Sequence, residues 1–476
     1  MKNLIFIATN ALILVILALP VFTQNEYGKL EGNWLGTLDV SGVKMRLVLK
    51  VAKTENGYSA KFDSIDQGAK DLPIDSIKLE GNKMSFSAAQ FGMSYEGTLN
   101  EKAGEISGTF RQGGGSTPFV FKRIAEIPKT TRLQDPIKPY PYAEEEVFYK
   151  NEKDNVKLAG TLTFPRGAGK FPAVILITGS GSQDRDETIA GHRPFLVLAD
   201  YLTRQGIAVL RVDDRGTGGS DLGSLLATTE NYVGDVLAGV EYLKRRKEIN
   251  PKQIGLIGHS EGGMIAPMTA VRSKDIAFIV MLAGMGQTGE EVILTQLALI
   301  QEKSGAKPEA IAQAVDLQKS LIDIIKSESD DKLAESKIYE MLSRRKSEMN
   351  EQQIKEFAQV EADIKANLPA LLSPWYRYFL GFNPRPVLEK VKVPVLALNG
   401  ENDVQVASKE NLAFISAALK TGKNKDFMVK SFPKLNHLFQ TSQTGLPNEY
   451  GTIEETIAPI VLETLSNWIL ERTIKK

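Results

Sequence analysis

Gln253-Ile254-Gly255-Leu256-Ile257-Gly258-His259-Ser260-Glu261-Gly262, followed by Gly263-Met264-Ile265-Ala266-Pro267-Met268-Thr269-Ala270, decides the reading of this chain. The first five residues are an apolar run of the kind that forms a buried strand, and the stretch after Gly262 is helix-like. Between them stands a Gly-x-Ser-x-Gly turn. Such a strand–turn–helix is a nucleophile elbow. The turn is so tight that a side chain two positions either side of the serine would meet neighbouring backbone. Its strain holds the serine hydroxyl clear of the sheet, where a base can reach it.

A serine hydroxyl is a weak nucleophile without a general base, usually histidine. The chain has three histidines: His192, His259 and His437. His259 adjoins Ser260, but successive side chains on such a turn diverge, which makes it a poor base for its neighbour. His192 precedes the elbow and reads either as a structural loop histidine or as a pocket residue. His437 follows it, in Pro433-Lys434-Leu435-Asn436-His437-Leu438-Phe439. Between Ser260 and His437 lies Val393-Pro394-Val395-Leu396-Ala397-Leu398-Asn399-Gly400, a buried strand, and then Glu401-Asn402-Asp403. An acid at a strand's C-terminal edge can orient an imidazole. Glu401 competes with Asp403 for that place, and the Gly-x-x-Asp-x-x-Val spacing favours Asp403. The expected catalytic order is Ser260, Asp403, His437.

With Asp213-Asp214-Arg215-Gly216-Thr217-Gly218-Gly219-Ser220, Gly400-Glu401-Asn402-Asp403-Val404-Gln405-Val406 and Asn436-His437, these motifs stand in order, each after a strand-like run. From about Glu146 onward the chain resembles a bacterial α/β-hydrolase of the carboxylesterase and serine-aminopeptidase-like group, similar to cinnamoyl esterases. The resemblance implies an α/β fold with a mostly parallel central sheet. It also implies an ester substrate, no cofactor and no metal. Many relatives carry His-Gly after the first central strand, where this chain has Thr178-Gly179-Ser180-Gly181. One oxyanion donor is expected from the backbone N–H of Glu261. The other comes from that loop, at Ser180 with Gly181 as rival. The loop lacks the Gly-Lys-Ser/Thr ending of a phosphate loop.

Composition narrows the alternatives. Lysine plus arginine equals aspartate plus glutamate at 58 each, so no net charge draws the chain to nucleic acid or anionic lipid. The absence of cysteine removes disulfides and thiol catalysis. Met1-Lys2-Asn3, an apolar run from Leu4 through Leu19 and then Pro20 to Gln24 read as a signal peptide over residues 1–23. That predicts a periplasmic or secreted protein with no membrane span once the leader is removed. Self-association is left open.

Residues 25–125 show short alternating runs separated by Gly and Asn turns, the pattern of a small antiparallel β domain, a sandwich or a barrel. Trp34 and Phe110 read as its core. Pro128, Pro136, Pro139 and Pro141 mark a stiff linker over 126–143. Strands and helices then alternate through 144–476, as a parallel sheet covered on both faces requires. The alternation is interrupted at about 287–386 by amphipathic helical patterns over Glu290 to Lys303, Pro308 to Lys326, Lys332 to Arg345 and Gln352 to Asn367. An insertion there forms a cap over the site. Its densest aromatic cluster, Trp375-Tyr376-Arg377-Tyr378-Phe379, offers Trp375 and Tyr376 as pocket residues, against the reading that they pack the cap onto the core. Asp184-Arg185-Asp186 reads as a local ion-pair and turn network rather than a metal site, and Asp213-Asp214-Arg215 as the anchor of a turn. Ester hydrolysis is the leading expectation. Amide hydrolysis on the same triad and a non-catalytic binding protein are the alternatives.

Overall fold

The computed structural model describes residues 29–40, 43–55, 57–65, 69–112, 115–128 and 132–473. The expected leader over 1–23 lies outside the described residues. The chain divides into two compact units, Met1–Ser64 with Ala69–Pro128, and Ile65–Gly68 with Lys129–Lys476.

The first unit is one curled antiparallel sheet, a half-barrel rather than a sandwich. Its strands are β1 (Gly32–Val40), β2 (Val43–Thr54), β3 (Gly57–Ser64), β4 (Ala69–Pro73), β5 (Ser76–Glu80), β6 (Lys83–Ala88), β7 (Met93–Asn100), β8 (Glu105–Gln112) and β9 (Gly115–Ile124). Their spatial order is β4-β3-β2-β1-β9-β8-β7-β6-β5. Side chains alternate across each strand, so the concave face collects Trp34, Leu49, Phe62, Phe86, Tyr95, Phe110, Phe119 and Phe121 into one core. Trp34 and Phe110 are buried there, as expected. The indole N–H of Trp34 donates to the Leu30 carbonyl at 2.8 Å, which satisfies the one polar atom it buries.

The second unit is built on an eight-stranded sheet of β10 (Ala143–Asn151), β11 (Val156–Phe164), β12 (Phe171–Ile177), β13 (Ala208–Val212), β14 (Ile249–His259), β15 (Ile276–Leu282), β16 (Val395–Gly400) and β17 (Phe427–Phe432). The order is β10-β11-β13-β12-β14-β15-β16-β17. β10 and β11 form an antiparallel hairpin, β11 pairs antiparallel with β13, and every later pairing is parallel. This is the α/β-hydrolase fold. The central strands are apolar on both faces because helices cover both. On one side lie α2 (Thr229–Lys244), α3 (Gly262–Ala270) and α10 (Ser408–Thr421). On the other lie α1 (Pro194–Arg204) and α11 (Pro459–Thr473). Strand order reverses between β12 and β14, and the crevice outside the C-terminal ends of strands at such a point is where open α/β sheets bind ligands.

Between β15 and β16 the chain makes α4 (Gly289–Lys303), α5 (Pro308–Ser327), α6 (Asp331–Ser347), α7 (Glu351–Leu371), α8 (Pro374–Gly381) and α9 (Arg385–Leu388). Thr288, Asp330, Asn350 and Ser373 cap four of these through side-chain oxygens. The insertion has its own apolar core, including Leu321, Ile325, Ile338, Leu342, Phe357 and Leu368. The stretch expected to be a stiff linker is tied down from Arg132 onward. Arg132 donates to the carbonyls of Gly451 and Ile453, and Gln134 exchanges hydrogen bonds with Thr456 and Ile457. Tyr142 donates to Asp200 on α1 at 2.8 Å. These residues form a strap on the second unit.

Candidate active site

β14 ends at His259 and α3 begins at Gly262, so Ser260 stands on the expected elbow with φ at +52°. That conformation costs a non-glycine residue about 1–3 kcal/mol and persists only where its surroundings hold it. Here the Ser260 N–H donates to the Leu282 carbonyl and the Gly263 N–H to the Ser260 carbonyl, both at 2.9 Å. The flanking glycines are obligatory for space. A Cβ on Gly258 would lie 1.9 Å from the Gly262 carbonyl oxygen, and one on Gly262 would lie 2.2 Å from that of Ile177.

Asp403 and His437 come from the loops after β16 and β17. The Asn402 N–H donates to the Leu435 carbonyl at 2.9 Å, which joins the two loops. Asp403 Oδ1 accepts the N–H groups of Gln405 and Val406 at 2.8 and 2.9 Å, leaving Oδ2 for His437 Nδ1 at 2.8 Å. A carboxylate only accepts, so Nδ1 carries the proton and the neutral ring presents Nε2 as its basic nitrogen. Both residues are buried. The rival acid Glu401 faces elsewhere, accepting from Ser431 Oγ at 2.8 Å.

Of the two expected oxyanion donors, Glu261 precedes the first turn of α3, where N–H groups point outward. Ser180 lies on the exposed loop after β12, and a Cβ on the adjoining Gly179 would sit 3.2 Å from Ser260 Cβ. That loop is pinned from below by Asp214, whose carboxylate accepts from Thr178 Oγ1 at 2.8 Å and the Gln183 N–H at 2.9 Å. Burial pushes the Asp214 carboxyl up to about 7 against those hydrogen bonds. The Glu261 side chain is buried as well. It accepts from Thr229 Oγ1 at 2.6 Å and Trp375 Nε1 at 2.9 Å, and burial pushes its carboxyl upward. Asp214, Glu261, Tyr232 and Thr178 line a cavity of about 50 Å³.

The two aromatic candidates separate. Trp375 reaches the residue next to Ser260 through that hydrogen bond and stacks on Phe379 at 5.5 Å. Tyr376 packs in the cap's own core, its hydroxyl toward Gln318 of α5. His192 is structural. It is fully buried, its ring nitrogens hydrogen-bonded to Thr456 Oγ1 and the Tyr450 carbonyl, and burial pushes it down to about 4. Asp184-Arg185-Asp186 is an ion-pair network: Arg185 grips Asp213 with two nitrogens at 3.0 and 2.7 Å, and Asp186 pairs with Arg211. Asp213 also accepts from the Gly219 N–H at 3.0 Å, and Arg215 pairs with Asp235 and Asp154, so this motif anchors its turn. Sequence reasoning missed Glu187. It is buried in the connection from β12 to α1, accepts the Gly179 N–H at 2.8 Å and meets His259 Nδ1 at 2.9 Å. No local motif marks it.

Residues 193–441 match the Hydrolase_4 family, described as serine aminopeptidase, S33. The chain is 27% identical over 383 residues to esterase EstD of Thermotoga maritima, covering 79% of each protein. Among solved structures it is similar to Est1E from Butyrivibrio proteoclasticus, at 17% identity and a TM-score of 0.40 over 69% of this chain and 98% of the other. It is also similar to the esterase Pf2001 of Pyrococcus furiosus, at 16% identity and a TM-score of 0.41 over 70% and 92%.

Proposed function

The chain belongs to the serine aminopeptidase S33 family of hydrolases, and on that premise we propose that it is an exported serine esterase working through an acyl-enzyme. The observation that carries the reading is the 2.8 Å contact of His437 Nδ1 with Asp403 Oδ2, in a fold whose elbow holds Ser260 at a φ of +52°. Ser260 Oγ attacks the ester carbonyl carbon while His437 Nε2 takes its proton. Asp403 holds the ring in the tautomer that can do so and stabilises the imidazolium. The tetrahedral oxyanion accepts hydrogen bonds from the N–H groups of Glu261 and Ser180, each contributing about 3 kcal/mol to lowering the barrier. Collapse breaks the bond to the alcohol, which leaves with the proton from His437. Water then attacks the acyl-enzyme by the same steps in reverse roles, releasing the acid and free Ser260.

The likeness to a named esterase supports a small-molecule ester as substrate, and the family's own description supports amide hydrolysis as the second reading. The two differ in the leaving group that His437 must protonate. Export is supported by the composition of residues 1–23. A fluorophosphonate probe should label Ser260 of the wild-type protein and fail to label Ser260→Ala. A panel of aryl esters, acyl glycerols and aminoacyl amides should then show turnover on esters. Turnover confined to the amides would replace the esterase reading with the peptidase one. Near-normal activity in purified Ser260→Ala would remove both.

A further inference from the structure

His259 takes no part in the reaction just described, yet its ring is buried with both nitrogens engaged. Nε2 lies 3.0 Å from the backbone carbonyl of His437, and Nδ1 lies 2.9 Å from Glu187 Oε1. A carbonyl oxygen only accepts, so Nε2 carries a proton. The same Glu187 oxygen accepts the Gly179 N–H. Glu187 itself sits at a φ of +52°, a conformation its own side chain does not favour. One carboxylate and one imidazole thus connect the loop that carries Ser180 to the residue proposed as general base.

We propose that Glu187 and His259 are positioning residues for this reaction: a carboxylate–imidazolium clamp that fixes the backbone of His437 against the oxyanion loop. The proposal rests on the triad reading above. The groups facing His259 are Glu187 from the β12–α1 connection, Asp403 from the loop after β16 and His437 from the loop after β17, while Asp214 after β13 faces Glu187. Burial pushes His259 toward its neutral form. The Glu187 charge and hydrogen bond outweigh this, with help from the His437 carbonyl and Asp403, and hold it above the ordinary imidazole value. The His259 and His437 rings are 4.8 Å apart between centroids. The contact between the two residues is therefore close on both sides, ring to ring and ring to backbone carbonyl.

Two variants of the full chain test this. His259→Gln keeps an amide donor for the His437 carbonyl but removes the charge. Glu187→Gln removes the carboxylate and lets His259 become neutral. In each, kcat on an activated ester should fall about 10- to 100-fold with KM little changed, as displacement of a catalytic group by a fraction of an ångström does. A loss confined to kcat, with KM and Tm near wild type, is one that loss of packing alone would not produce. Folded variants with wild-type kcat would overturn the proposal. If neither variant folds, imidazole nitrogen-15 spectra of the wild-type protein decide the matter. Both His259 nitrogens should be protonated at neutral pH, and an unprotonated Nδ1 would refute the clamp. Failure of the triad reading looks different, because the wild-type enzyme would then not be labelled at Ser260.

Discussion

Replacing Asp403 by Asn exchanges one oxygen for an NH₂ group, and the surrounding backbone decides which one. Oδ1 is held by two N–H donors, Gln405 at 2.8 Å and Val406 at 2.9 Å. An amide NH₂ facing those donors would be repelled, so the Asn oxygen takes that side and the NH₂ group turns to His437. An NH₂ group only donates. His437 Nδ1 must then accept, its proton moves to Nε2, and the nitrogen that should deprotonate Ser260 is occupied. The imidazolium also loses its counter-charge. Where a triad aspartate is changed in this way with geometry intact, kcat falls ~10⁴-fold. That is about 5.5 kcal/mol of barrier at 1.36 kcal/mol per tenfold. The loss should be smaller than for Ser260→Ala or His437→Ala, which remove a reacting group. The assay is steady-state hydrolysis of an activated aryl ester, with circular dichroism and Tm to show an intact fold. A kcat within tenfold of wild type, or a larger loss in Glu401→Gln, would refute the argument.

Three further outcomes are expected. Trp375→Ala removes both the cap's hydrogen bond to Glu261 and the stack on Phe379, and should change selectivity between bulky and small esters more than it changes stability. A loss of several kcal/mol by denaturant titration with selectivity untouched would show that the residue serves packing alone. A chain beginning near Lys129 should fold and hydrolyse a small activated ester, whereas one beginning near Glu144 loses the contacts of Arg132, Gln134 and Tyr142 and should melt earlier. Buried His192 is pushed down to about 4 from an ordinary value of 6.5, so the unfolded chain takes up its proton first as pH falls. Its contribution to stability is complete above the unfolded value and is lost as pH falls from there through the folded one. The loss is up to about 3 kcal/mol, and should be visible as a falling denaturant midpoint in wild type and a flatter one in His192→Asn.

What was legible followed from local physics. The elbow declared itself because only glycine fits at 258 and 262, and the helix expected over Glu290 to Lys303 matches α4. Asp403 could be preferred to Glu401 from spacing, and their hydrogen bonds separate them in the same sense. The long cap helices were visible because each carries an apolar stripe at helical spacing. Less legible was anything depending on pairing between distant loops. Glu187 meets a histidine 72 positions away and sits among polar residues that read as an ordinary loop. The choice between sandwich and barrel was open for a related reason. Alternation reports which residues share a face, not whether that face belongs to one curled sheet or two. The strap from Arg132 onward was hidden behind its prolines, which signal stiffness equally well for a free connector and for a bound one.

The placement of the cap has a consequence for the order in which the chain assembles. β15 and β16 are parallel neighbours, so pairing them means closing a loop that runs from Ala283 to Pro394. Against a minimal crossover of a dozen residues, the additional closure entropy is only about 2 kcal/mol, because the cost grows with the logarithm of length. Helical contacts within the insertion are local and form fast, whereas the pairing they delay is distant in sequence and slow. β16 and β17 therefore join the sheet late, bringing Asp403 and His437 with them. A chain emerging from its N-terminus possesses Ser260 long before it possesses the Asp403 and His437 proposed to serve it. Under the proposed mechanism, hydrolytic competence is therefore acquired late, after the helical insertion has folded.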